Sequence, residues 1–482
     1  MTDPAQRPLD AMTIAAGVRA GAFTATAVVE AAIARAERIE PIVHAFSVPA
    51  FTEARAAAAA LDRRRSAGAD LGPLAGVPVA IKDTVFTKGI RTTSGSHAYR
   101  DFVPEEDDVV VERLKAAGAI VLGKTNVPEF AYAGVGHNPV FPTTCNPWNP
   151  ARTSGGSSAG SAVAVATGVT PIAIGSDAGG SIRIPAAFCG IVGVKPSWGR
   201  VPLYPGCRDE RYPGASSFEH LEHLGPLTRT LADAALALSV IAGPDPRDRH
   251  SIPSADVDWL GCARPRDLAG ARIAFSADLG YAIVEPEVRD IALAAARTFA
   301  DRLGARLEEA SPGLPDVQPP FLALVALDSD LTGMRRIAAA LGAKLSPHLI
   351  DFLGRRWTAE DLTDAVTFQK TIANKLARFM ADYELLLTPT TAVPPFGLGI
   401  RGPDTIAGRA VPPTKWTALT SPFNMTGQPA VSVPAGWTAD GLPVGLQIVG
   451  RHLDDTGVLR AAAAYEQARP WHDRWPPLAH AH

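Results

Sequence analysis

The chain reads as an α/β protein: one large domain in which a mixed central sheet is covered by helices on both sides. Three observations predict this. Short, β-rich apolar runs alternate with helical stretches through the first half of the chain. Apolar residues make up 46% of the 482 residues and charged residues 20%, enough to bury a large core. No segment repeats with a period of 20–50 residues, and no Ser/Gly linker or charge block divides the chain, so its length is read as one unit spanning 1–482.

The elements follow in order. Residues 1–70 read as helices, Thr26 to Ile39 and Phe51 to Arg65, rich in alanine and arginine with apolar positions at helical spacing. Strands are expected at Val79–Ile81, Ala119–Leu122 and Ile172–Ile174, with helices near Val109–Ala117 and Ala159–Gly168 between them. Later strands are expected at Ile273–Phe275, Leu385–Leu387, Ala430–Val433 and Leu446–Val449. Between Val201 and Leu224, proline, glycine and mixed charges mark a long loop, and its part 203–217 is expected to face the substrate or else to lie solvated on the surface.

Chemistry concentrates in two glycine pairs, each followed by serine: Gly155-Gly156-Ser157-Ser158 and Gly179-Gly180-Ser181. Glycines allow the backbone to approach a ligand closely, so a serine beside them can face a substrate with bare N–H groups around it. Upstream, Lys82 ends the apolar run Val77-Pro78-Val79-Ala80-Ile81. Each has a plainer reading. Lys82 beside Asp83 could be a salt-bridged surface lysine. Ser157 and Ser158 could cap the following alanine-rich helix, and Ser181 could cap the turn that leads to Pro185.

From Thr153 to Pro196 the chain reads TSGGSSAGSAVAVATGVTPIAIGSDAGGSIRIPAAFCGIVGVKP, and here it resembles the amidase signature family. The similarity runs from about Gly76 to Ile241, returns at SPFNMTGQPAVSVPAG and GLPVGLQIVG, and is loose over roughly 250–420; Ala159 stands where many relatives carry glycine. The resemblance implies the amidase signature fold, a catalytic lysine at Lys82, a bridging serine at Ser157 and a nucleophile at Ser181. It also implies oxyanion donors from the backbone of Ala178, Gly179, Gly180 and Ser181, and a cis peptide bond between Gly156 and Ser157. Asp177 and Arg183 are expected to support this site by pairing or by bonding to backbone. Phe130 and Tyr132, which follow the segment Lys124-Thr125-Asn126-Val127-Pro128-Glu129, are expected on the substrate wall, facing Tyr204 and Arg208 of the long loop.

The function implied is hydrolysis of an amide, with anilides and carbamates inside the same chemistry, through an acyl-enzyme on Ser181. Two alternatives stand beside it: the glutaminase-type subunit of a tRNA-dependent amidotransferase, and an esterase using Ser158, since Gly156 to Gly160 fits G-x-S-x-G. The preceding CNPWNPARTS is no strand, which removes the context an esterase elbow needs. A phosphate loop at Gly155–Gly160 fails because Ser161-Ala162 stands where Lys-Ser/Thr is required.

Composition bounds the rest. A net charge of −3 gives no bulk attraction for nucleic acid. Cys145, Cys189, Cys207 and Cys262 form no ligand pattern, and none of the 11 histidines is placed by a metal motif, so neither a metal nor another cofactor is expected. His220 and His223 read as a solvated pair. No apolar run is long enough to span a membrane, so a soluble, cytoplasmic protein acting on a small molecule is expected, with its oligomeric state open.

Overall fold

The computed structural model describes residues 8–206, 209–215, 217–254 and 257–479. Its frame is a sheet of eleven strands. In chain order the strands are β1 (Phe46–Pro49), β2 (Pro78–Lys82), β3 (Ile120–Thr125), β4 (Ile172–Ser176), β5 (Val192–Lys195), β6 (Leu224–Thr228), β7 (Arg272–Phe275), β8 (Arg306–Glu309), β9 (Leu385–Pro389), a separate hairpin of β10 (Thr405–Ile406) and β11 (Arg409–Ala410), then β12 (Ala430–Trp437) and β13 (Pro443–Val449). The spatial order is β1-β3-β2-β4-β6-β5-β12-β13-β9-β7-β8. Strand β2 runs parallel to β3 and β4, and β7 parallel to β8 and β9, whereas β4, β6, β5, β12, β13 and β9 alternate in direction. The sheet is therefore mixed.

The helices cover it. They include α1 (Ala11–Ala20), α2 (Ala25–Val43), α3 (Phe51–Ser66), α4 (Val109–Ala116), α5 (Ala159–Ala166), α6 (Arg183–Cys189), α7 (Leu231–Ile241), α8 (Pro286–Asp301), α9 (Gln318–Leu327), α10 (Leu331–Leu341), α11 (Pro347–Gly354), α12 (Ala359–Asp382), α13 (Pro422–Met425) and α14 (Asp455–Ala468). Central strands are buried on both faces: all of β2, β4 and β6 lie inside, with Val79, Ile81, Ile172 and Ile174 fully covered. Each such side chain contributes roughly 1.5–3 kcal/mol on burial.

Three connections matter for the site. Strand β2 carries Lys82 as its last residue, β4 ends at Ser176 beside it, and α5 begins just after Ser157. Because β2 and β4 run parallel with Ile81 opposite Ile174, their C-terminal ends open at the same edge of the sheet. Ligand sites of such sheets form at the carboxyl ends of parallel strands.

Candidate active site

Lys82 is fully buried, not a surface lysine. Its neighbour Asp83 points elsewhere, taking hydrogen bonds from the Thr93 amide at 3.0 Å and the Thr93 hydroxyl at 2.5 Å. This is the alternation of a strand carried one residue past its end. The Lys82 ammonium instead donates to Ser157 Oγ at 2.6 Å, to Ser176 Oγ at 2.7 Å and to the Ser176 carbonyl at 3.3 Å. Burial pushes its pKa down to about 8, against the opposing pull of the Glu222 and Asp177 carboxylates.

Ser157 lies at the Gly156–Ser157 bond, which is cis. Gly156 is there because of space: a Cβ on it would meet the backbone of Val135 at 2.8–2.9 Å. Ser158 is the first residue outside α5, yet its side chain does not cap the helix. Its hydroxyl spans the carbonyl and amide of Ser176, both at 3.2 Å, and its amide donates to the Ser181 carbonyl at 3.1 Å. Ser158 thus ties α5, β4 and the Ser181 turn together, fully buried.

The Ser181 turn is capped by a different residue from the one the sequence suggests. Asp177, not Ser181, accepts from the turn's amides: Gly180 at 2.7 Å, Ile182 at 3.2 Å and Arg183 at 3.4 Å. The Ser181 hydroxyl makes no hydrogen bond among the described residues and lines the cleft. Among those residues the amides of Ala178, Gly179 and Ser181 are likewise without partners, whereas the Gly180 amide, expected as an oxyanion donor, is already committed to Asp177. Gly180 has φ +129°, and a Cβ on it would run into the Thr420 hydroxyl. Thr420 in turn donates to the Gly179 carbonyl at 2.6 Å, which orients the turn.

Asp177 and Arg183 are joined by paired bonds of 2.9 Å and neither side chain is exposed. Every N–H of Arg183 is used: Nη1 reaches the Thr420 carbonyl and Gln447 Oε1, and Nη2 reaches Asn424 Oδ1. Burial alone would raise the Asp177 carboxyl, but the Arg183 guanidinium holds it well below the usual carboxylate range.

In front of Ser181 lies a cleft of about 650 Å³, the size of a small-molecule site. Ala178, Gly179 and Ser181 form its floor; Tyr132, Phe218, Phe321, Phe352, Trp357 and Trp416 form much of its wall. Charged groups, including the Lys415–Asp316 pair at 2.6 Å, stand among the same lining residues.

The expected substrate residues separate. Tyr132 lines the cleft and bonds through its hydroxyl to Ser329 at 2.6 Å and Ser217 at 3.1 Å. Phe130 is buried against Tyr99 and Met334 instead, and Tyr204 lies under the Arg247 guanidinium, 5.3 Å from its ring centre. Neither is among the residues lining the cleft. Arg208 lies outside the described residues. The described part of the 203–217 loop borders a smaller cavity of about 40 Å³ behind Ser176, through Leu203, Gly206, Gly214, Ala215 and Ser217. His220 and His223 are not a solvated pair: His220 bonds to Asp328 at 2.7 Å, while His223 is buried with Nδ1 against the Leu221 carbonyl at 2.8 Å. Among the described residues no group of histidine, cysteine and carboxylate side chains could hold a metal ion, and no helix is long and apolar enough to cross a membrane.

Sequence reasoning missed Glu222, Thr420, Asn424 and Gln447. All are brought in from beyond the glycine-serine segment: Asn424 and Gln447 lie in the resembling stretches SPFNMTGQPAVSVPAG and GLPVGLQIVG, which carried no role for them, and no motif marks Glu222 or Thr420.

Fold and site together define an α/β protein with a serine turn facing a small-molecule cleft, and comparison with known proteins gives its class. The family model described as Amidase matches residues 27–459, so the chain belongs to the amidase signature family and is an enzyme of that amide-hydrolysing class. It is 38% identical to an acylamidase of Rhodococcus erythropolis, with 99% of this chain and 98% of that protein covered. It is 37% identical to the A subunit of a glutamyl-tRNA(Gln) amidotransferase from Thermosynechococcus vestitus, over 94% of this chain and 97% of that one. Among solved structures, a bacterial aryl acylamidase of the amidase signature family superposes with a TM-score of 0.91 at 30% identity, covering 98% and 99% of the two chains. A 6-aminohexanoate cyclic dimer hydrolase complexed with substrate gives 0.86 at 30% identity, covering 99% and 100%.

Proposed function

We propose that this enzyme is a serine amidohydrolase that cleaves the C–N bond of a small amide through an acyl-enzyme on Ser181, with Ser157 and Lys82 as its proton relay. The observation that carries this reading is the buried Lys82 amine 2.6 Å from Ser157 Oγ, behind a cleft whose floor is Ser181 with unpartnered amides beside it. Ser181 Oγ attacks the carbonyl carbon, and its proton passes to Ser157 as the Ser157 proton passes to Lys82. The negative charge on the substrate oxygen falls to the amides of Ala178, Gly179 and Ser181. Lys82 returns the proton through Ser157 to the departing nitrogen as the C–N bond breaks. Water, deprotonated along the same route, then cleaves the ester to give the free acid.

The aromatic wall favours an amide with an apolar or aryl group; anilides and aryl carbamates fit this chemistry. No step calls for a metal or other cofactor. Ser158 is a poor nucleophile for an esterase, because its buried hydroxyl is held by the Ser176 backbone and does not line the cleft. The buried, free thiols of Cys145, Cys189 and Cys262 suit a reducing, cytoplasmic setting.

A second reading rests on the likeness to the glutamyl-tRNA(Gln) amidotransferase component: the same serine would release ammonia from glutamine for partner proteins. The test is a panel of anilides, aryl carbamates, primary amides and glutamine, with the acylated residue located by mass spectrometry. Turnover of aryl amides by the isolated chain with acylation at Ser181 is expected. Turnover of glutamine alone, dependent on added partner proteins and tRNA, would establish the second reading.

A further inference from the structure

Close to Lys82, on the same small cavity as Ser176, lies a buried carboxyl group. Glu222, just before β6, is buried and forms no ion pair within reach among the described residues. Glu222 stands diagonally across the β4–β6 ladder from Ser176, which pairs with Leu224; the two side chains border one cavity, and the Ser176 hydroxyl accepts from Lys82 at 2.7 Å. A serine hydroxyl can accept from one neighbour and donate to another at once. The order is therefore Ser157, Lys82, Ser176, Glu222. Beyond it, Glu222 and Ser176 border the cavity of about 40 Å³, larger than one water needs.

A charged lysine in such surroundings requires a counter-charge. The groups around Lys82 can be taken in turn. Asp177, at the end of β4, is engaged by Arg183 and Asn424. Asp83, next in the chain, bonds to Thr93. Ser157 and Ser158 are neutral. His223, beside Glu222, is held neutral chiefly by its burial and next by the Lys195 charge of β5. Asp108, the other carboxyl on the cavity, caps α4 through the Val110 amide at 3.1 Å. Glu222 is the carboxyl that remains.

We propose that Glu222 is a positioning residue for the Lys82 base, its counter-charge and proton partner through the Ser176 hydroxyl, and that it sets the pH at which Lys82 becomes a free amine. When Lys82 is charged, the Glu222 carboxylate balances it. When the Lys82 proton moves to Ser176 as the Ser176 proton moves to Glu222, both ends become neutral, with one proton transferred and no net charge created in the core. Burial raises the Glu222 carboxyl and lowers the Lys82 ammonium, so the two groups approach each other and the proton transfer between them is easier than between the same groups in water.

This inference rests on Lys82 acting as the base, and its test separates the two. The rate of Ser181 labelling by a fluorophosphonate is measured against pH for the parent enzyme, Glu222→Gln, Ser176→Ala and Lys82→Ala. Glu222→Gln is isosteric and removes the negative charge that favours the ammonium. The rising limb should move to lower pH by roughly one unit or more, with its plateau largely kept. Ser176→Ala, which removes only the bridging hydroxyl, should move it the same way by less, and serves if the Gln variant does not fold. A limb unmoved in the folded Gln variant, or in Ser176→Ala if the Gln variant fails to fold, would overturn the role of Glu222. Labelling of Lys82→Ala at the parent rate and pH dependence would overturn the lysine relay itself.

Discussion

Asp177 and Arg183 face each other with two parallel bonds of 2.9 Å, both side chains sealed from solvent, directly beneath the turn that presents Ser181. The pair is a structural hub. Asp177 holds the Gly180, Ile182 and Arg183 amides, and Arg183 reaches α13 and β13 through Asn424 and Gln447. Removing one partner leaves a buried charge uncompensated, which costs about 3–5 kcal/mol. Asp177→Asn should lower stability to urea by that amount and loosen the Ser181 turn. A variant with parent stability and rate would show that the pair is dispensable.

Ser181→Ala should abolish turnover and covalent labelling. Its hydroxyl lines the cleft beside unpartnered amides and has no hydrogen bond among the described residues, whereas Ser157 and Ser158 are committed to Lys82 and Ser176. Intact-mass analysis after fluorophosphonate treatment reads this directly, and adduct retained on Ser158 would reassign the nucleophile.

Activity should rise with pH through about 8, because burial has brought the Lys82 ammonium down to that value and only the free amine can take a proton. The sign follows from the acid form being the inactive one: lower pH fills it. Lys82→Arg should fall by at least about 100-fold, since a guanidinium stays charged and general-base catalysis is worth roughly 10²–10⁴. A near-normal rate in Lys82→Arg would remove the relay.

The sequence-based expectations are good where burial is uniform and fail where topology intervenes. Val79–Ile81 and Ile172–Ile174 are legible because strands buried on both faces are continuous apolar runs. The edge strands escape notice: β1 ends in Pro49, and β8 is Arg-Leu-Glu-Glu, the proline and charges that protect an exposed edge from pairing. Strand β6 is hidden by Gly225-Pro226, unusual inside a sheet; its register with β5 ends at Leu227, so no N–H is required of Pro226 on that side. In the site, the glycine-serine contexts single out Ser157 and Ser181, and the resemblance to the amidase signature family singles out Lys82. They do not mark Asp177 as the residue that caps the Ser181 turn, because a serine before a helical turn is the commoner cap. Nor do they mark Glu222, which lies near Lys82 only because β6 returns antiparallel to β4.

The last prediction separates the cleft wall from the 203–217 loop. Phe321 lies against the Ser181 turn, so near that a Cβ on Gly179 would stand 2.7 Å from its ring. Phe321→Ala opens space beside the reacting carbonyl and should raise kcat/KM for bulky amides relative to small ones. Tyr212, in the loop, packs its ring on Phe86 at 4.9 Å and Phe102 at 5.2 Å and is not among the residues lining the cleft. Tyr212→Ala should therefore cost about 1–3 kcal/mol of stability. Its kcat/KM values across the amide panel should change by one common factor. If Tyr212→Ala instead reorders the panel as Phe321→Ala does, the loop acts on the substrate, and its aromatic anchor transmits that action to the cleft.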